Sequence, residues 1–136
     1  MTLQVRRVVT GHDATGRAIV KIDEVSQNLV SWRQGQMGCV VWTTESFPVD
    51  NTGDIDEGLR QVGTTLNNGT VFRVVEFAPG VAPRNHRTDS IDYAVVVLGE
   101  IDKDPIGAWL DRRERYIGDQ KVIRPIYRLV STTEMN

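Results

Sequence analysis

The residues of this chain that could carry out chemistry lie close together, in residues 79–99. Side chains alternate along a strand, so His86 and Thr88 would point to the same side if this stretch is extended. An imidazole titrates near neutral pH and is the commonest general acid or base in proteins. The stretch therefore predicts proton transfer at His86, with Asp92 orienting it or holding a proton and Tyr93 donating a hydrogen bond.

Substrate contacts are predicted from three further side chains. Arg84 could pair with a carboxylate in a forked geometry, Thr88 would lie beside the imidazole, and Trp42 could offer a stacking surface, although a tryptophan on an apolar strand is more often part of the core. A structural interpretation is equally open, in which His86, Thr88 and Asp92 form a hydrogen-bonded turn. The residues alone therefore leave open whether the chain is an enzyme.

A metal centre is not predicted. A catalytic metal usually takes about three protein ligands, and the chain has two histidines, His12 and His86. His12 lies in a turn-like segment and is expected at the surface, whereas His86 and Asp92 make two ligands at most because the hydroxyl of Thr88 is a poor one. The acidic residues of 50–57 lack calcium-loop spacing and predict a solvated loop. We therefore expect no metal ligands and no resident cofactor, with a bound transition metal as the alternative.

The elements that would position these residues are strands. Short apolar runs rich in Val, Phe, Tyr and Trp alternate with turn residues, which is typical of an all-β barrel or sandwich. The predicted strands cover residues 5–9, 18–22, 39–44, 70–77 and 91–98. Less than about a quarter of the chain is expected to be helical.

Other local signals are weaker. Asn68-Gly69 predicts a tight turn before the strand at residue 70, with glycine supplying a positive φ. Thr52 could cap a short helical turn. Pro105 near a first turn favours a helix over 104–116, and two short strands are expected after it, at 122–123 and 126–130.

The spacing around His86 resembles the first conserved motif of the cupin superfamily. That motif reads Gly, five residues, His, one residue, His, three or four residues, Glu, six residues, Gly. Gly80, His86 and Gly99 match it in place. Thr88 stands at the second histidine and Asp92 at the glutamate.

The wider resemblance covers residues 4–102 and is to a cupin-2 subgroup found in bacteria and in fungal secondary-metabolite clusters. It implies a single domain over 1–136 with a jelly-roll barrel. The second cupin motif is not found after Gly99, so the barrel is expected to be incomplete and 103–136 to be a divergent tail. True divergence and an altered reading frame or splice are both open.

The resemblance implies an oxidoreductase or decarboxylase-like enzyme of small-molecule metabolism, acting on an aromatic or polyketide-type acid or carbonyl compound held in the barrel. The alternative is a non-catalytic cupin that binds a small ligand or dimerises and has lost its metal site. Cupins commonly form dimers, and missing strands leave sheet edges open to pairing, so a homodimer is expected.

Composition limits the other partners. The net charge of −2 offers no basic face for nucleic acid. No apolar run is long enough to span a membrane, and the first residues lack the pattern of a signal peptide, so a cytoplasmic location is expected. The single cysteine, Cys39, lies in an apolar run and is predicted to be a buried small side chain.

Overall fold

The structure is a computed structural model. It describes residues 3–81 and 90–99 and, beyond them, only the backbone of five strands. These residues form antiparallel strands and a 3₁₀ turn, Glu57–Leu59. The strands are β1 Arg6–His12, β2 Ala18–Val25, β3 Leu29–Arg33, β4 Gln36–Thr44, β5 Thr70–Phe77, β6 Ser90–Leu98, β7 Asp102–Lys103, β8 Trp109–Leu110, β9 Arg115–Ile117, β10 Gln120–Val122 and β11 Ile126–Glu134. The all-β prediction is confirmed, and so are the five predicted strands.

The main sheet has five strands in the order β3-β4-β5-β11-β6. β1 and β2 form a separate hairpin, and β7–β8 and β9–β10 form two small pairs. β11 pairs antiparallel with β5 on one side and with β6 on the other. The region that the sequence marks as a divergent tail therefore supplies a strand inside the main sheet. No helix among the described residues is long and apolar enough to cross a membrane.

Two helical predictions are wrong. The described residues of 104–116 include strands at Trp109–Leu110 and Arg115–Ile117 instead of a helix. Gly107 interrupts the helical pattern there, while tryptophan, tyrosine and isoleucine favour a pleated backbone. The 3₁₀ turn is capped by Asp56, whose side chain accepts from the Gly58 N–H, and not by Thr52.

The turn before β5 differs in detail from its prediction. The positive φ belongs to Asn68, at 51°, and Gly69 is needed for a different reason. A Cβ on Gly69 would overlap the backbone carbonyl of Thr44 on the neighbouring strand. The glycine therefore permits a close approach of two backbone segments, and asparagine, which tolerates the left-handed region, makes the turn.

One face of β5 is buried. Val71, Arg73, Val75 and Phe77 alternate with half-buried residues along the strand. We call this side of the main sheet the Arg73 face. Trp32 of β3 packs against Val75 and Phe77. Val40 of β4 is fully buried and is aligned with Arg73 in the sheet.

Cys39 is fully buried, as predicted. Burial raises the pKa of its thiol above the ordinary value, because the thiolate loses its hydration. The residue is thus a small core side chain.

The acidic loop between β4 and β5 is anchored by a buried arginine. The side chain of Arg7 is 1% exposed. It bonds to Glu24 Oε1 at 2.7 Å and to Asp56 Oδ1 at 2.6 Å. Asp56 also caps the 3₁₀ turn through Gly58. The prediction of a solvated acidic loop therefore holds for exposed Asp54 but is wrong for Asp56, which is bound to the body of the domain.

Two uncharged side chains hold the same turn. The amide of Asn28 is buried and donates to the carbonyl oxygens of Gly58, at 2.8 Å, and Arg60, at 3.0 Å. Thr43 Oγ1 donates to the carbonyl oxygen of Glu57 at 2.8 Å. The Asn28 bonds satisfy backbone acceptors at the end of the turn, and the Thr43 bond adds to the one that the Glu57 carbonyl oxygen accepts from the Arg60 N–H at 3.4 Å.

This arrangement predicts loss of stability in acid. Hydrogen bonds from Arg7 hold the pKa of Asp56 below its ordinary value. The folded-state pKa is thus below the unfolded one, so the stabilisation is complete above the unfolded value of about 4 and is lost as pH falls through the folded value. Urea unfolding of the wild type and of Asp56→Asn across this range measures it. If the free energy of unfolding changed with pH equally in the wild type and in the variant, the pH dependence could not be assigned to Asp56.

Candidate functional site

The structure describes the two ends of the motif region. Gly80, after β5, has φ of 69°, and Gly99, after β6, has φ of 81°. Both lie in the left-handed region that favours glycine, which gives a physical reason for a glycine at each end of the motif. Arg84, His86 and Thr88 lie outside the described residues.

Asp92 lies on the Arg73 face. Arg73 of β5 is aligned with Val130 of β11, and Val130 is aligned with Ala94 of β6. Paired residues of adjacent strands share a face, and residues two apart on one strand share it too. Arg73, Ala94 and Asp92 are therefore on one side of the sheet, although two strand spacings separate β5 from β6.

Arg73 is the buried charge of this face. The residue is 9% exposed. Its Nη1 donates to the carbonyl oxygen of Thr64 at 2.8 Å, and its guanidinium lies 5.0 Å from the ring centroid of Trp32. Burial lowers the pKa of the Arg73 guanidinium from its ordinary value, and the carboxylate of Asp92 acts in the opposite direction. A buried cation next to an aromatic ring is suited to holding an anionic group.

Two donors in this pair are without a partner. Arg73 Nε and Trp32 Nε1 are both buried, and neither forms a hydrogen bond with the residues that the structure describes. Buried donors are almost always paired in folded proteins. Their placement on one face therefore marks a position where an acceptor from another molecule would fit.

The other described site residues do not come to the Arg73 face. Tyr93 follows Asp92 directly on β6, so it points to the opposite face, and it is 68% exposed. Trp42 is aligned with Phe72, the neighbour of Arg73 on β5, and so it also lies on the opposite side. His12, at the end of β1, is exposed as predicted.

A groove of about 310 Å³ lies at another place. Its lining comes from the β3–β4 turn, Leu3 and Glu76. Glu76 is on the side of β5 opposite Arg73, so this groove does not belong to the Arg73 face.

Comparison with known proteins places the chain in a family. No family model matches it. It is similar to oryzines biosynthesis cluster protein J of Aspergillus oryzae, with 32% identity over 134 residues that cover 89% of this chain and 70% of that protein. It is also similar to the cupin-domain-containing oxidoreductases virC of Hypocrea virens, at 30% identity over 69% of this chain, and fogC of Aspergillus ruber, at 33% over 71%. The chain belongs to the cupin superfamily. This cupin spans about half the length of the last two relatives, 50% and 49%.

The motif positions of this cupin do not form the usual set of metal ligands. They carry one imidazole, one hydroxyl and one carboxylate, at His86, Thr88 and Asp92, and a threonine hydroxyl is a poor ligand. Within the part of the chain that the structure describes, no three His, Cys, Asp or Glu side chains come together.

Sequence reasoning did not select Arg73 or Trp32 for the site of this cupin. Arg73 interrupts an apolar strand, which fits either a half-solvated strand or a polar patch on a buried face. A signal was present, since Val71, Arg73 and Val75 are spaced by two and must share a face. Trp32 carried no comparable signal, because it lies in a short strand beside a turn.

Proposed function

We propose that this cupin binds a small organic molecule of aromatic or polyketide type on the Arg73 face and acts on it as an oxidoreductase or decarboxylase-like enzyme of secondary metabolism. Two of its relatives are named cupin-domain-containing oxidoreductases, and a third is named for an oryzines biosynthesis cluster. The observation that carries the proposal is the buried cation Arg73 on the same side of the main sheet as the exposed motif carboxylate Asp92.

The motif residues would supply the chemistry. His86 acts as the general acid or base, Asp92 orients it or exchanges its proton, and Arg84 and Thr88 contact the substrate. Decarboxylation of a carboxyl group beside His86 balances with these groups. The C–C bond breaks, its electron pair stays on carbon, carbon dioxide leaves, and a proton from His86 forms the new C–H bond. Oxidation needs an electron acceptor as well.

Replacement of His86 tests the reaction. We expect His86→Ala to lower turnover by about 100-fold or more, the usual contribution of a general acid or base, and to leave the melting temperature nearly unchanged. The measurement is product formation from a panel of aromatic and polyketide-type acids, followed by mass spectrometry. His12→Ala is the matched control, because this second histidine is exposed and should not affect turnover.

The same variant also tests a purely structural role of His86. If His86 is a structural turn residue, the same replacement should cost about 1–3 kcal/mol of stability through a lost buried hydrogen bond and leave ligand binding in place. Wild-type turnover in the variant would rule out the catalytic role.

A second candidate function is a non-catalytic cupin that binds a small ligand. The residue that favours it is Thr88, which replaces a metal-ligating histidine of the motif. Binding of a panel acid with no product after long incubation would decide for it. The homodimer and the cytoplasmic location expected from the sequence stay predictions.

A further inference from the structure

We propose that Arg73 and Trp32 form a recognition site for the carboxylate of an aromatic or conjugated acid, so that the acid group, and not a carbonyl, selects the ligand. This inference rests on the proposed function, because it names the class of molecule that the same face takes. The pair is called the Arg73–Trp32 site below.

The first support is that Arg73 lacks the ion pair that other basic side chains have in the described part of the chain. Four other basic side chains of the described residues form ion pairs with aspartate or glutamate, namely Arg6, Arg7, Lys21 and Arg60. Arg73 is 9% exposed and forms no such pair within the described part of the chain. A buried cation is costly without an anion. The carboxylate of Asp92 acts on this guanidinium without forming an ion pair with it, and a ligand carboxylate would supply the direct partner.

The second support is the chemistry of the unsatisfied atoms. Arg73 Nε and Trp32 Nε1 are both N–H donors, and both are buried without a hydrogen-bond partner in the described part of the chain. The ligand group must therefore be an acceptor. A carboxylate accepts several hydrogen bonds and pairs with the flat guanidinium fork, whereas a ketone offers one neutral oxygen.

The third support is that contacts within the chain hold the site in place. The guanidinium is fixed on one side by the carbonyl oxygen of Thr64 and lies over the Trp32 ring. The ring in turn lies against Gly38, where a Cβ would overlap it. Prior fixation lowers the entropy cost of binding, and an aromatic wall beside the cation favours a flat ligand.

The position of Asp92 gives the ligand a direction. Asp92 is on the same face of β6, a strand that lies two strand spacings or about 10 Å from β5, and it is two residues along β6 from Ala94, which is level with Arg73. It repels a second anion, so the recognised acid group belongs at Arg73 and the reacting part of the ligand extends toward β6. That orientation carries the ligand from the Arg73–Trp32 site toward the strand that bears the motif carboxylate.

Equilibrium binding of benzoate and of its neutral analogue benzamide to the 136-residue chain tests the site. Isothermal titration should show benzoate binding at least about tenfold more tightly, the usual gain from charge-assisted hydrogen bonds. Arg73→Met should abolish this preference. Trp32→Phe keeps a ring but removes the N–H, and should weaken benzoate binding about tenfold. Arg6→Met removes one exposed positive charge elsewhere and should leave the preference unchanged.

The outcomes separate this site from the proposed enzyme. Equal affinity for benzoate and benzamide in the wild type, no binding of either, or a preference that survives Arg73→Met would each overturn the site. If Arg73→Met fails to fold, Trp32→Phe decides, and an unchanged benzoate affinity in that variant overturns the site. Selective benzoate binding without turnover of any acid would uphold the site and count against the enzyme. Turnover restricted to compounds without a carboxylate would uphold the enzyme and overturn the site.

Discussion

Arg7→Ala is expected to destabilise the protein by about 3 kcal/mol in urea unfolding, because it removes one partner of a buried ion-pair network. Arg7 is the central member, with Glu24 on β2 on one side and Asp56 on the other. The value lies at the low end for buried pairs, since the Asp56 side chain is 22% exposed and keeps its bond from the Gly58 N–H. Water can partly solvate the carboxylates that remain.

The matched control for this variant is the neighbouring arginine. Arg6 also pairs with an aspartate, Asp23, but its side chain is 70% exposed, and exposed pairs contribute little. Arg6→Ala should leave the unfolding midpoint unchanged within error. If the two variants unfold alike, the network of Arg7 does not hold the acidic loop.

Gly58→Ala is expected to cost a similar amount, about 2–3 kcal/mol, by overpacking. A Cβ at this position would overlap Arg7 Nη1 and the carbonyl oxygen of Val41. The backbone carbonyl cannot move without breaking strand β4, so the guanidinium or the turn must shift. Urea unfolding measures the cost, and Gly63→Ala is the control, since nothing lies within 4 Å of an added Cβ there.

The two changes should not be additive. Both act through the same guanidinium, and residues in contact usually show interaction energies. Once Arg7 is alanine, the Cβ of Gly58→Ala meets less resistance, so the double variant should lose less than the sum of the single losses. Strict additivity would mean that the carbonyl of Val41, and not Arg7, makes this position intolerant.

The sequence predicts most strands of the structure because their apolar residues alternate and turn residues separate them. β5 is predicted with its observed bounds, 70–77, and β6 within one residue. β3 is missed, since Leu29–Arg33 is short and its tryptophan and arginine carry no clear alternation. The helix predicted over 104–116 is wrong, because the prediction depends on one proline, whereas the other residues of this segment favour strands.

The candidate site was predicted only in part, for a topological reason. Asp92 was selected from the motif spacing, which is a local property. Its relation to Arg73 depends on β11, which aligns two strands that do not pair with each other. No local pattern contains that alignment. The face of the sheet on which Tyr93 and Trp42 lie also depends on strand register. The register of β4 shifts between Val40 and Trp42, and residue types do not predict such a shift.

The place of β11 also has a consequence for how the chain folds during synthesis. β5 and β6 leave the ribosome well before β11, yet each finds its sheet partner in that strand. Until it emerges, the backbone of β6 is unpaired beside apolar residues such as Val95 and Val97, which are exposed in the folded protein as well, and a segment of this kind is prone to aggregate. Pairing of distant segments is slow, so the yield of folded protein in a cell should depend on synthesis rate and on chaperones that protect β6 in the interval.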